Sequence, residues 1–228
     1  MDRFRKYTKP WITRESQKAK KERAQKILSR LKKTYPKAAI ALIFKTDFQL
    51  LVAVILSAQC TDKKVNEVTS KLFMKLKTPR DFAQASQREL EKLIYQTGFY
   101  RAKARHIIET ARIIERDFKG QVPRTMPEML LLHGVARKTA NVVLGNAHGV
   151  VDGIAVDTHV GRISQRLGLV ETDKPEKIEQ ELMLLFSKKE WLRLTYYIIE
   201  HGRALCKAPQ PLCESCPLYA LCPSAKDT

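Results

Sequence analysis

The sequence has no uninterrupted apolar stretch long enough to span a bilayer, and its opening residues, MDRFRKYTKPWITRESQKAKKER, lack the apolar centre of a secretory signal. A soluble, intracellular chain that makes no use of a membrane is the expectation, cytoplasmic and nucleoid-associated in a bacterium or archaeon. No repeat of fixed period appears, so an array of stacked repeats is excluded. Acid is scarce: 24 Asp and Glu stand against 42 Lys and Arg, a net charge of +18 with histidine neutral. That excess is a long-range field favouring polyanions, with nucleic acid the first candidate and anionic membrane the second. Cysteine is scarce as well, five in all, yet four of the five crowd near the C-terminal end. At 228 residues the chain can bury one sizeable core or two small, intimately packed domains.

The charge is unevenly placed. Residues 1–38 hold fourteen Lys and Arg against Asp2, Glu15 and Glu22, a local excess of eleven. Residues 1–22 read as a basic tail, either solvated or acting as an electrostatic arm for DNA. A mitochondrial presequence is also basic, but Glu15 and Glu22 count against it.

From about residue 23 the pattern is helical. Ala104, Ile107, Ala111, Ile114 and Phe118 recur at three- and four-residue spacing and stop at Gly120. Ser86 with Glu89, and Thr125 with Glu128, fit capping boxes, and Pro127 suits a first turn. Asp173 with Pro175 opens another helix, and Gly202 closes the one holding Trp191, Leu194, Tyr197 and Ile198. The run LLVAVILSA has the composition of a buried strand. It reads as helix because Asp47 is available as N-cap, the apolar stretch from Phe48 is long for a strand, and no partner strand follows. The fold class is all-α, with about ten helices.

Cys206, Cys213, Cys216 and Cys222 form C-x6-C-x2-C-x5-C, while Cys60 stands apart among apolar neighbours as a small hydrophobe. Four thiols so close together in an intracellular chain point to a metal site. Tetrahedral sulfur ligation suits zinc or an iron–sulfur cluster, and spacing alone leaves both open.

In GVARKTANVVL, Arg137 and Lys138 follow a glycine turn and open a helix. A helix N-terminus already carries partial positive charge, so two cations there are unfavourable unless an anion joins them. Nineteen residues on, Asp157 precedes the apolar pattern Val160, Ile163, Leu167 and reads as an N-cap, which keeps a carboxylate ionised.

These pieces, in this order, resemble the endonuclease III family of helix-hairpin-helix DNA glycosylases. The resemblance rests on ILSAQCTD (Ile55 to Asp62), TGFYRAKA (Thr97 to Ala104), LHGVARKTANVVL (Leu132 to Leu144), AVDTHVGR (Ala155 to Arg162), HGRALC (His201 to Cys206) and the cysteine quartet. It implies two helical domains flanking a DNA-binding cleft. One would comprise residues 43–151, including the hairpin at 132–144; the other, residues 23–42 with 152–228, would carry a [4Fe–4S] cluster on the four cysteines.

The implied activity is base excision with strand cleavage on duplex DNA containing damaged, oxidised pyrimidines or abasic sites, by a monomer. Lys138 would be the nucleophile. The helix N-terminus and Arg137 disfavour its ammonium form, and a lidded DNA complex would add desolvation. Asp157 would assist proton transfer and stabilise charge developing on the sugar. Gly134, Val135, Ala136 and Arg137 would bind phosphate, Gln59 would fill the gap left in the base stack, and Phe99 would wedge beside it. In the related adenine and thymine-mismatch glycosylase branches the position of Lys138 is typically not lysine, so Lys138 selects the bifunctional branch. A non-catalytic DNA-binding module with a structural metal site is the alternative, and it leaves the pairing of Lys138 with Asp157 unexplained. Two departures stand out. The family hairpin usually reads Leu-Pro-Gly-Val-Gly where this chain has His133 and Ala136, which implies a weakened phosphate contact. The loop between the first two cysteines, KAPQPL, has only Lys207 where the family is commonly basic.

Overall fold

In the computed structural model, which describes residues 7–225, every regular element is helical and no strand occurs among the described residues. The chain forms two compact units, Ile40–Asp152 and the pair of segments Met1–Ala39 and Gly153–Thr228. Helix α1 (Gln17–Thr34) belongs to the unit built from both ends of the chain. The middle unit holds α2 (Asp47–Leu56), α3 (Asp62–Lys75), α4 (Pro79–Gln84), α5 (Gln87–Ile94), α6 (Tyr100–Asp117), α7 (Met126–Met129) and α8 (Arg137–His148). Helices α9 (Thr158–Arg166), α10 (Pro175–Leu185) and α11 (Trp191–Ala204) join α1 in the unit built from both ends.

The middle unit is organised around α2, in which every residue from Phe48 to Leu56 is buried. It touches α3, α6 and α8 and so needs an apolar surface all the way round, which is why its composition mimics a strand. Leu50, Leu51 and Leu56 are fully enclosed, each contributing about 1.5–3 kcal/mol of transfer free energy. The cap lies one residue earlier than the sequence suggests. Thr46 is extended and its hydroxyl accepts the Gln49 amide at 3.2 Å, so Asp47 becomes the first helical residue and sets its charge against the N-terminal dipole. Helix α6 presents Ala104, Ile107, Ala111 and Ile114 to the same core and ends where expected, with the Gly120 amide returning to the Ile114 carbonyl at 3.0 Å.

Three further local expectations are corrected. Ser86 occupies the N-cap of α5 but makes no side-chain cap bond; the reciprocal box forms instead at Thr78 and Asp81, at the start of α4. Lys174, not Asp173, precedes α10, with Pro175 in its first turn. Gly202 does not end α11, which runs on to Ala204. A methyl group there would stand 2.5 Å from His159 Nδ1 and 2.8 Å from Ile163 Cδ1, so the glycine lets α11 press against α9.

The basic tail expected through residue 22 is also corrected. Met1 to Lys6 lie outside the described residues, but Thr8 onward is fixed to the C-terminal segment. The Thr8 amide donates to the Pro223 carbonyl at 2.8 Å, and its hydroxyl to the Ala225 carbonyl at 2.8 Å. Helix α1 begins at Gln17, capped by the Ser16 hydroxyl. Arg23, 6% exposed, grips both oxygens of Glu15 at 2.7 Å and donates to the carbonyls of Leu167, Gly168 and Leu221. Counting charge along this stretch conceals that Glu15 and Arg23 neutralise each other in the interior.

Candidate active site and cysteine cavity

The hairpin before α8 is pinned from within the middle unit. Leu132 and Val135 are buried, the Val135 amide donates to the Leu132 carbonyl at 3.2 Å, and the Thr110 hydroxyl of α6 donates to the His133 carbonyl at 2.8 Å. Gly134 has φ +74°, and a methyl group on it would lie 2.8 Å from His106 Nδ1, so both conformation and space demand glycine. Ala136 is the N-cap of α8 with φ −91° and ψ 171°, extended backbone that alanine adopts without strain. The family departure at Ala136 therefore costs no backbone energy. Alanine, like the glycine usual in the family, offers the helix no side-chain oxygen at its cap, and no acid occupies the first turn.

The result is a helix N-terminus with a surplus of donors and positive charge. Arg137 Nη1 lies 3.9 Å from Asp152 Oδ2, a long, half-exposed pair worth little in water. Lys138, the second residue of α8, is exposed. Such an end favours the approach of an anion.

Two more of the sequence-predicted residues share an unusual geometry. Gln59, between α2 and α3, has φ 53°, and Phe99, at the head of α6, has φ 47°. Lys119 is the third non-glycine residue of positive φ among the described residues. The left-handed conformation costs such residues on the order of 1–3 kcal/mol and persists where surrounding contacts enforce it. Gln59 is exposed, and Phe99 keeps 66% of its surface in solvent. A phenylalanine held this way is not a core residue that failed to find the core.

Asp157 lies in the other unit. It caps α9, accepting the Val160 amide on Oδ1 at 2.8 Å, and is half-buried. That bond occupies one carboxylate oxygen and leaves the other uncommitted to the cap.

Cys206, Cys213, Cys216 and Cys222 are all half-buried free thiols lining one cavity of about 600 Å³ together with Ile163, Leu167, Leu205 and Leu218. Arg166 Nη1 is 3.3 Å from Cys206 Sγ, and His201 Nε2 is 3.7 Å from Cys216 Sγ. Burial, with smaller contributions from the neighbouring sulfurs, raises the Cys222 thiol to about 12, and burial likewise raises Cys216. Thiolates in such a place require a compensating cation, which a metal centre supplies. His201 is pushed down to about 4 by burial and is neutral, with Nδ1 3.1 Å from the Tyr35 hydroxyl. Cys60 sits apart, half-buried against the core of the middle unit.

A family model for the HhH-GPD superfamily of base excision DNA repair proteins matches residues 52–188. The endonuclease III of Synechocystis sp. is 51% identical over 208 residues, covering 91% of this chain and 95% of that protein. Two solved structures, a non-covalent endonuclease III–DNA complex and a trapped endonuclease III–DNA covalent intermediate, are each 44% identical. Each match covers 90% of this chain and 96% of the other, with a TM-score of 0.86. On the hairpin, the uncapped helix and these likenesses, the chain belongs to the HhH-GPD superfamily of base excision DNA repair proteins, within it to the endonuclease III family.

Proposed function

We infer that the chain excises damaged bases, oxidised pyrimidines above all, from duplex DNA and then nicks the strand at the abasic sugar. The observation that carries this reading is the start of α8: a glycine turn delivers an acid-free helix end with Lys138 on its first turn. The solved relatives with DNA, one of them covalently trapped, supply the substrate class.

DNA phosphate meets the amides that follow Gly134, together with the Arg137 guanidinium. The damaged nucleotide swings out of the stack, and the Lys138 amine attacks C1′ of its sugar. The C1′–base bond breaks, with the electron pair leaving on the base. Ring opening gives a Schiff base between Lys138 Nζ and C1′. Loss of a proton from C2′ then expels the 3′ phosphate by β-elimination, and water releases the enzyme. Asp157 removes the proton from the attacking amine and stabilises positive charge on the sugar. Gln59 fills the space the base leaves, and Phe99 wedges the neighbouring step.

The four cysteines suit a [4Fe–4S] cluster: sulfur donors from one short segment surround a cavity with room for a multi-atom centre, bounded by Arg166 and apolar side chains. When bound, the cluster organises the C-terminal segment, which has little apolar core of its own. Among the described residues no helix is long and apolar enough to cross a membrane.

The test is a duplex carrying one oxidised pyrimidine. Release of the free base together with a nick bearing a 3′ unsaturated aldehyde is the expected product pair. Base release that leaves an intact abasic strand would restrict the chain to monofunctional excision, and tight binding without either product would leave only a DNA-binding module.

A further inference from the structure

Lys103 is 4% exposed, an uncommon place for an ammonium group. Its Nζ donates to the Leu56 carbonyl at 2.8 Å and to the Thr97 carbonyl at 2.8 Å. Leu56 is the last residue of α2, where the final carbonyls have no partner within the helix. Thr97 ends the turn that leads through Gly98, φ +69°, into α6. The Lys103 amide meanwhile donates to the Phe99 carbonyl at 3.1 Å. One residue therefore holds both segments, its ammonium bridging the two and its backbone anchoring the start of α6.

The chain leads from each of those carbonyls directly into a strained, exposed residue. Gln59 follows Leu56 by three positions and Phe99 follows Thr97 by two, and both are left-handed. Burying the ammonium is unfavourable, and that burial also lowers its pKa. An apolar side chain of similar length would fill the same volume without that cost, as when buried charges are replaced by hydrophobic residues. What an apolar side chain cannot do is tie two loop ends together through their carbonyls.

We propose that Lys103 is a positioning residue that fixes the Gln59 and Phe99 loops to one another, so that both side chains enter the base stack as a unit. The proposal rests on reading Gln59 and Phe99 as the residues that enter DNA. Displacing such groups by about 1 Å is enough to cost up to roughly a hundredfold in rate. Strand cleavage at an abasic site in single-stranded DNA needs no base expelled from a duplex and so does not depend on the tie.

The experiment compares Lys103→Met with wild type on two substrates under single turnover: a duplex with one oxidised pyrimidine beside 2-aminopurine, and a single-stranded abasic oligonucleotide. The expected result is a loss of roughly ten- to a hundredfold in excision and in the 2-aminopurine signal of unstacking, with abasic cleavage within about twofold of wild type. Lys103→Gln, which keeps two N–H donors without the charge, should recover most of the excision rate. In a Gln59→Ala/Phe99→Ala background the Met substitution should have little further effect, because the groups it positions are gone. An equal loss on both substrates, or an undiminished loss in that background, would overturn the proposal and leave Lys103 as scaffold. If Gln59→Ala and Phe99→Ala themselves excise at the wild-type rate, the reading beneath the proposal fails instead, and the two failures are told apart.

Discussion

His106 Nδ1 lies 2.8 Å from the point where a methyl group on Gly134 would sit. The hairpin and α6 are thus in contact at the one glycine whose φ of +74° sets the direction of the turn. Gly134→Ala forces a left-handed alanine, costing about 1–2 kcal/mol, and also displaces the imidazole. The variant should melt at least about 2 °C lower and bind abasic duplex several-fold more weakly, as read by calorimetry and fluorescence anisotropy.

The same contact gives a pH dependence. Burial first, then the charges of Arg105 and His133, hold His106 below its ordinary value of 6.5. The unfolded chain takes up the proton near 6.5 while the folded one resists it, so this contribution to stability is present at higher pH. It is lost as pH falls from 6.5 toward the lowered folded value. Between about pH 7.5 and about pH 5.5, wild type should lose more melting temperature than His106→Gln; equal losses would contradict the assignment.

Asp157 caps α9 and has the proposed catalytic role besides, and substitutions can separate the two. Asp157→Asn keeps an oxygen for the Val160 amide and should leave melting and DNA affinity near wild type, while single-turnover excision falls by about a hundredfold or more. Asp157→Ala removes the cap as well, costing about 1 kcal/mol. A further drop of about 2–4 °C in melting temperature would register it.

How much of this was readable beforehand varied with the physics. The Cys206 to Cys222 segment, the hairpin glycine and the Asp157 cap were visible because spacing and residue type constrain them locally. Helix α2 was recoverable from length, although its apolar surface hides any periodicity. Gly202 was misread as a stop because a packing glycine and a terminal glycine look alike until the facing helix is known. The packed N-terminal segment was hidden because its partners Pro223 and Ala225 lie more than two hundred residues away. Lys103 was missed, although a lysine four residues before Ile107, on the apolar face of α6, is a signal that could have found it.

The N-terminal contacts predict that the first residues protect the cysteine segment. Deleting residues 1–15 removes the bonds to Pro223 and Ala225 and leaves Arg23 buried without Glu15, a loss of about 3–5 kcal/mol for breaking a buried pair. The truncated protein should melt lower and, with the proposed iron–sulfur cluster bound, lose the brown colour such a cluster gives faster in a chelator than the full chain. Cys213→Ser should lose the iron, about four per chain in wild type, whereas Cys60→Ser should keep it. Equal rates of colour loss in truncated and full-length protein would show that the contacts do not guard the cluster.

The central claim is that the amine at the head of α8 forms the covalent bond to DNA, and borohydride trapping tests it most directly. A Schiff base is reduced to a stable amine, so wild-type protein mixed with abasic duplex and borohydride should give a cross-link whose DNA-bearing peptide, by mass spectrometry, contains Lys138. Lys138→Ala should give none while still binding the duplex. Full cross-linking by Lys138→Ala, or a wild-type adduct mapped to another amine, would contradict the account.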